Sequence, residues 1–179
     1  AGNAVTTGVN NTIIGALAGD ALTTGAQNTV LGTFALTTDD LGSYTTALGY
    51  NALSVQNYAT ATDSYNTAVG GRAGEAVTTG VKNTLIGGLA GDALTDSDFN
   101  TAVGYAALTS DTLGKKSVAI GYATLNEQNF TTATDSYNTA VGHAAGEGMT
   151  VGIQNTFIGA LAGDVTTDAD YNTAVGVGA

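Results

Sequence analysis

The sequence has no cysteine and no proline, and it is poor in charge: only 11% of its 179 residues are charged. Without cysteine there is no disulfide framework, no thiolate nucleophile and no zinc–thiolate site. No redox compartment is therefore required, and a secreted life is open to the chain. Basic side chains are scarcer still. Arg72, Lys82, Lys115 and Lys116 stand against fifteen acids, for a net charge of −11. Nucleic-acid binding needs clustered Lys and Arg to displace counterions, so it is disfavoured, as is an anionic membrane surface. No apolar run approaches the roughly eighteen residues that a membrane-spanning helix needs. His143 is the single histidine. With no accompanying nucleophile pattern it reads as a surface or interface side chain, and no catalytic residue or cofactor is expected.

Glycine and apolar residues are what the chain does have: 26 Gly and 43% apolar. That is enough to bury a core and excludes a disordered acidic tail. The apolar residues are also periodic. Asn-Thr-x-aliphatic-Gly recurs as NTIIG at 11–15, NTVLG at 28–32, TTALG at 45–49, NTAVG at 66–70 and NTLIG at 83–87. It continues as NTAVG at 100–104, SVAIG at 117–121, NTAVG at 138–142, NTFIG at 155–159 and NTAVG at 172–176. The closing glycines are 17 residues apart, except for two spacings of 21. Three units of 17 and one of 21 make a super-repeat of 72 residues, and Thr60–Gly70 is identical to Thr132–Gly142. The super-repeats run approximately 1–72, 73–144 and, in part, 145–179. One repetitive domain over 1–179 is expected, and because both ends fall in mid-unit, further repeats are expected to flank it.

A 17-residue period rich in Gly, Asn, Thr and β-branched residues argues against helix. It argues for an all-β fold, a parallel β-solenoid or β-roll of about ten coils of 17–21 residues. Consecutive coils at the strand spacing would span about 45–50 Å. Residues two apart share a strand face. Thr and the aliphatic of each motif therefore point one way, expected to be inward: Ile14, Leu31, Leu48, Val69, Ile86, Val103, Ile120, Val141, Ile158 and Val175 form the expected core. The residue between them is never polar and includes Ile13, Val30, Leu85 and Phe157. It is expected to face another copy of the chain, because a strand apolar on both faces is covered on both. The leading asparagines (Asn11, Asn28, Asn66, Asn83, Asn100, Asn138, Asn155, Asn172) are expected to stack as a ladder in which side-chain amides satisfy one another.

SVAIG at 117–121 and the NTAVG units resemble the head repeats of trimeric autotransporter adhesins. NTAVGYAAL at 100–108 resembles more closely the NTAVGY-type repeats of phage tail-fibre proteins. The resemblance covers all ten units. It implies a left-handed parallel β-roll with three chains around one axis. The adhesin repeat is shorter than 17 residues, so this chain departs from it in the return segment.

Three candidate sites remain. Glu75–Asp92 and Glu147–Asp164 fall at one phase on neighbouring coils; paired carboxylates could hold calcium or simply keep fibres apart. Tyr58 and Phe130 lie in the 21-residue units, where an outward bulge would offer an aromatic surface to a cell-surface glycan, or else cover a seam. Thr pairs such as Thr6-Thr7 and Thr78-Thr79 raise an ice-binding solenoid, although the array is broken at Asp96, Ser110 and Asn126. The expected function is mechanical, as a structural repeat of an extracellular fibre on a virion or a bacterial surface. Such a fibre would be a homotrimer, with further copies along its axis.

Overall fold

The computed structural model describes residues 1–179 in full. The chain contains fourteen short strands and no helix. They are β1 (Thr12–Ile14), β2 (Thr29–Leu31), β3 (Gly42–Ser43), β4 (Thr46–Leu48), β5 (Thr62–Asp63), β6 (Thr67–Val69) and β7 (Thr84–Ile86). Then follow β8 (Thr101–Val103), β9 (Gly114–Lys115), β10 (Val118–Ile120), β11 (Thr134–Asp135), β12 (Thr139–Val141), β13 (Thr156–Ile158) and β14 (Thr173–Val175). Ten of them, one per motif, form a single parallel sheet in the order β1-β2-β4-β6-β7-β8-β10-β12-β13-β14. Each motif position pairs with the same position of the next coil throughout: Thr12↔Thr29, Ile13↔Val30, Ile14↔Leu31, and so on to Ile158↔Val175. The expected β-solenoid of about ten coils is therefore the fold. No helix is long and apolar enough to cross a membrane.

Each strand of the ten-stranded sheet is only three residues long because the motif glycine ends it. These glycines adopt φ between 129° and 141°, a region closed to side-chain-bearing residues. They also lie against the next coil. A Cβ on Gly104 would sit 2.2 Å from the carbonyl oxygen of Gly121.

The expected inside and outside of the main sheet are reversed. Val30, Ala47, Ala68, Leu85, Ala102, Ala119 and Ala140 are fully buried, and Phe157 is 1% exposed; Ile13 packs against the same core. The aliphatics expected inside lie on the outer face instead, with Ile14 58% and Ile158 43% exposed. The reason is volume. Four residues after the motif glycine, the return segment also points inward and carries either Leu or Gly. Leu36, Leu53, Leu108 and Leu125 are buried in the coils whose middle strand residue is Ala47, Ala68, Ala119 or Ala140. Gly74 and Gly146 occur where that residue is Leu85 or Phe157, and a Cβ on either glycine would meet the large side chain at 2.7–2.8 Å. Large faces small across a narrow core, as close packing requires.

The asparagine ladder is present, but its bonds run to the backbone. The Asn28 N–H donates to Asn11 Oδ1 (2.9 Å) and Asn28 Nδ2 donates to the Gly42 carbonyl (2.9 Å). The same pattern joins Asn83 to Asn66 and Asn100 to Asn83, each at 2.9 Å. Direct amide-to-amide contacts are longer, as between Asn83 Nδ2 and Asn66 Oδ1 at 3.3 Å. Each buried amide thus clamps a backbone donor and a backbone acceptor of the adjoining coil.

Candidate interaction face and buried polar rungs

The outer face of the ten-stranded sheet carries two parallel columns. One is Thr at every coil except for Val118; the other is the aliphatic column from Ile14 to Val175. Neither column contains a charged residue. Neighbouring rungs lie about 4.8 Å apart along the axis. Side chains at Ile14, Leu31, Ile86, Ile120, Ile158 and Val175 are exposed. A contiguous apolar stripe of this length is uncommon on a surface that nothing covers.

Aromatic and cationic side chains line the corners beside that face. Tyr44 stacks on Tyr65 (centroids 5.0 Å apart), and Tyr122 lies between Tyr105 (5.9 Å) and His143 (4.9 Å). Lys82 sits over the Phe99 ring and Lys116 over Tyr137. His143 is thus a surface ring in a stack. The four basic side chains are all engaged. Lys115 pairs with Asp98 (2.7 Å), Lys116 with Asp135 (2.6 Å), and Arg72 with Glu75 and, at 4.0 Å, Asp92. The hydrogen bond to Asp135 is the main reason the Lys116 ammonium is pushed up to about 12.

The carboxylate pairs do not assemble a metal site. No cluster of three or more His, Cys, Asp or Glu is formed. Arg72 stands between Glu75 and Asp92, and Asn51 Nδ2 donates to Glu75 (2.8 Å). Burial works against the Glu75 carboxylate, but the hydrogen bonds from Arg72 and Asn51 outweigh it and hold the group below its usual range. Asp92 is half-buried and shifted upward by desolvation, despite a bond from Thr109 (2.8 Å). Glu147 and Asp164 occupy the equivalent positions one super-repeat later, where Ala144 replaces Arg72.

Tyr58 and Phe130 are not outward bulges. They are 5% and 6% exposed. The extra segment of each long unit turns its aromatic inward while Asn57, Ala59 and Thr60, like Asn129, Thr131 and Thr132, stay exposed. Tyr58 donates its hydroxyl to the Gly80 carbonyl (2.9 Å). These aromatics roof a polar rung that is absent from the sequence expectations. Where the asparagine column is interrupted by Thr45 or Ser117, the long unit that follows supplies Gln56 or Gln128, both fully buried. Gln56 Nε2 donates to Asp39 Oδ2 (2.7 Å) and Thr45 Oγ1 (3.1 Å), while its Oε1 accepts from Asn66 Nδ2 (2.8 Å). Gln128 repeats this with Asp111 Oδ2 (2.6 Å), Ser117 Oγ (3.0 Å) and Asn138 Nδ2 (2.9 Å). Asp39 and Asp111 are 0% exposed and also accept backbone N–H bonds from Gly42 and Gly114 (3.0 Å each). The sequence did carry a signal: Asp39 and Asp111 are 72 residues apart and lie in the units that lack the motif asparagine, and Gln56 and Gln128, also 72 apart, lie in the 21-residue units that follow them.

Desolvation raises both buried carboxyls above the usual aspartate value, although their hydrogen bonds pull the other way. The folded state therefore binds these protons more tightly than the unfolded chain does. Stability from this source is complete below the unfolded value and is lost as pH rises through the folded one. Glu75 and Asp135 are lowered and act in the opposite sense only at more acid pH. The melting temperature should accordingly be higher at about pH 5 than at about pH 7.5. In an Asp39→Asn/Asp111→Asn double variant that difference should shrink. A parent chain that melts lower at the acid pH would contradict the assignment.

By architecture the chain is a parallel β-solenoid with an uncovered apolar face and, at each long unit, a buried polar rung. Comparison with family models, with curated proteins and with solved structures returns no match.

Proposed function

We propose that the chain is a structural segment of an extracellular fibre, in which copies of the chain cover one another's outer sheet face as a homotrimer. The observation that carries this reading is the uncharged Thr and aliphatic stripe along all ten coils. Such a stripe is stabilised when removed from water, at about 25 cal/mol per Å² of apolar surface, and three copies around one axis would bury it symmetrically. Rigidity would come from stacking, since every coil is hydrogen-bonded to its neighbours above and below. A phage tail fibre or a bacterial surface adhesin is the kind of assembly to which such a shaft belongs, with further repeats along the axis.

The expected solution mass by light scattering is that of three chains. Replacing Ile86 and Ile120 with Asp should return the chain to one copy, because two charges in a covered apolar face cannot be solvated. A parent chain that is monomeric would overturn the reading.

One observation favours a second reading. The outer face repeats Thr at nine of ten rungs in strict register, so an uncovered face would present ice with a regular hydroxyl and methyl array. The Thr pairs of the return segments do not contribute to that face. A monomer that slows ice growth, and loses this on Thr84→Asp, would support the second reading over the first.

A further inference from the structure

We propose that Tyr44–Tyr65 and Tyr105–Tyr122 are sites of oxidative dityrosine cross-linking, each pair joining two adjacent coils of one chain. The first support is geometric. The chain has eight tyrosines, and only these four form Tyr–Tyr stacks. Their ring centroids lie 5.0 and 5.9 Å apart, with planes inclined by 21° and 14°. Of the remainder, Tyr50 meets Phe34 edge-on, Tyr137 lies beneath Lys116, and Tyr58 is buried. All four stacked rings are exposed and so open to a diffusing or enzymatic oxidant.

The second support is the absence of competitors. Cysteine and tryptophan are missing, and the single methionine, Met149, is fully buried. The side chains that ordinarily intercept oxidants before tyrosine are therefore absent or shielded. A radical formed on this surface has tyrosine as its resting place.

The third support is position. Both pairs bridge the third and fourth units of a super-repeat, once at each of two corners. This is the junction at which Thr45 or Ser117 interrupts the asparagine column. There the Asn66 N–H, which elsewhere in the column would meet an asparagine side chain, has only a 3.3 Å contact with Ser64 Oγ. A covalent bond at the ring pair would fasten the junction that lacks the regular clamp.

The oxidant is of the haem-peroxidase class, with hydrogen peroxide as its terminal acceptor. Each phenol gives up one electron and one proton. The two phenoxyl radicals form one bond between ortho carbons, and the hydrogens on those carbons return to the phenol oxygens as the rings re-aromatise. One peroxide is reduced to two waters for each link, and the chain loses two hydrogen atoms.

The test treats the intact chain, dilute, with a haem peroxidase and hydrogen peroxide, then maps the links by proteolysis at acidic residues and mass spectrometry. Links joining Tyr44 to Tyr65 and Tyr105 to Tyr122 are expected, with biphenol fluorescence and a raised melting temperature. Tyr65→Phe should remove only the first link, Tyr122→Phe only the second, and the double variant most of the fluorescence. Failure to form links would overturn the proposal. So would links spread over Tyr50, Tyr137 and Tyr171, links between separate chains, or fluorescence that survives in the double variant.

Discussion

Gly104→Ala should cost the solenoid at least about 4 kcal/mol, the range reserved for gross steric or backbone conflict, while Gly71→Ala should leave the melting curve where it was. Both glycines are at coil corners, yet their surroundings differ completely. Gly104 has φ +137°, and its Cβ would lie 2.2 Å from the Gly121 carbonyl oxygen and 2.6 Å from its carbon. Neither partner can retreat. The Gly104 N–H donates to Ile86 (2.7 Å), and the Gly121 N–H donates to Val103 (2.8 Å), so relief at this corner means breaking the sheet. A Cβ on Gly71 meets nothing within 4 Å. Chemical unfolding followed by circular dichroism compares the two. Equal stability of Gly104→Ala and the parent would show that the corners are not the rigid stacking points described above.

Gln128→Ala should be the next most damaging change, at about 3 kcal/mol near neutral pH, because a buried acceptor that loses its donor retains its full desolvation penalty. Three groups lose a partner together: Asp111, Ser117 and Asn138. Asp111 keeps its bonds from Gly114 and Phe130 (3.0 Å each), which limits the loss. The deficit should also depend on pH. Removing the amide donor takes away a contact that favours the carboxylate, so the Asp111 carboxyl rises further and the variant should recover part of its stability at about pH 5. Urea titrations at the two pH values measure both effects. A loss that is small at neutral pH, or unaltered by acid, would mean that the rung is not the charged network its distances imply.

The coil number, the parallel pairing and the register were legible in the sequence because one motif recurs at a fixed spacing, and like residues stack on like in a solenoid. Which strand face lies inside was not legible from the motif alone. Both Ala68 and Val69 are apolar, as are Leu85 and Ile86, so alternation separated the faces without orienting them. The orienting signal lay in the return segment. Leu53 accompanies Ala68, whereas Gly74 accompanies Leu85, and this reciprocity of size marks the two positions as facing each other. Gly91 beside Ala102 departs from it because Leu85 of the preceding coil fills the space. The long units misled for a related reason. Extra residues ordinarily bulge outward, but Thr45 and Ser117 leave room and unmet hydrogen bonds inside, and Gln56 and Gln128 enter to meet them. Tyr58 and Phe130 follow as their cover. The outer face is the part of the candidate site that emerged only once the coil had an inside.

The buried polar rungs also bear on how a chain of near-identical units finds its proper neighbours. Contacts in a solenoid join residues one coil apart, so winding can begin anywhere and spread. Units this alike invite a skipped or doubled coil, since one Asn-Thr strand pairs with any other. At the third and fourth units that tolerance ends. A coil stacked out of turn would bury Asp39 without Gln56, or Gln128 without Asp111, leaving a carboxylate or an amide unanswered in a dry core. A misplaced coil of the ordinary kind carries no such penalty. The 72-residue spacing of these rungs therefore works as a set of index marks: errors of winding can persist only between two marks, and the count restarts at each.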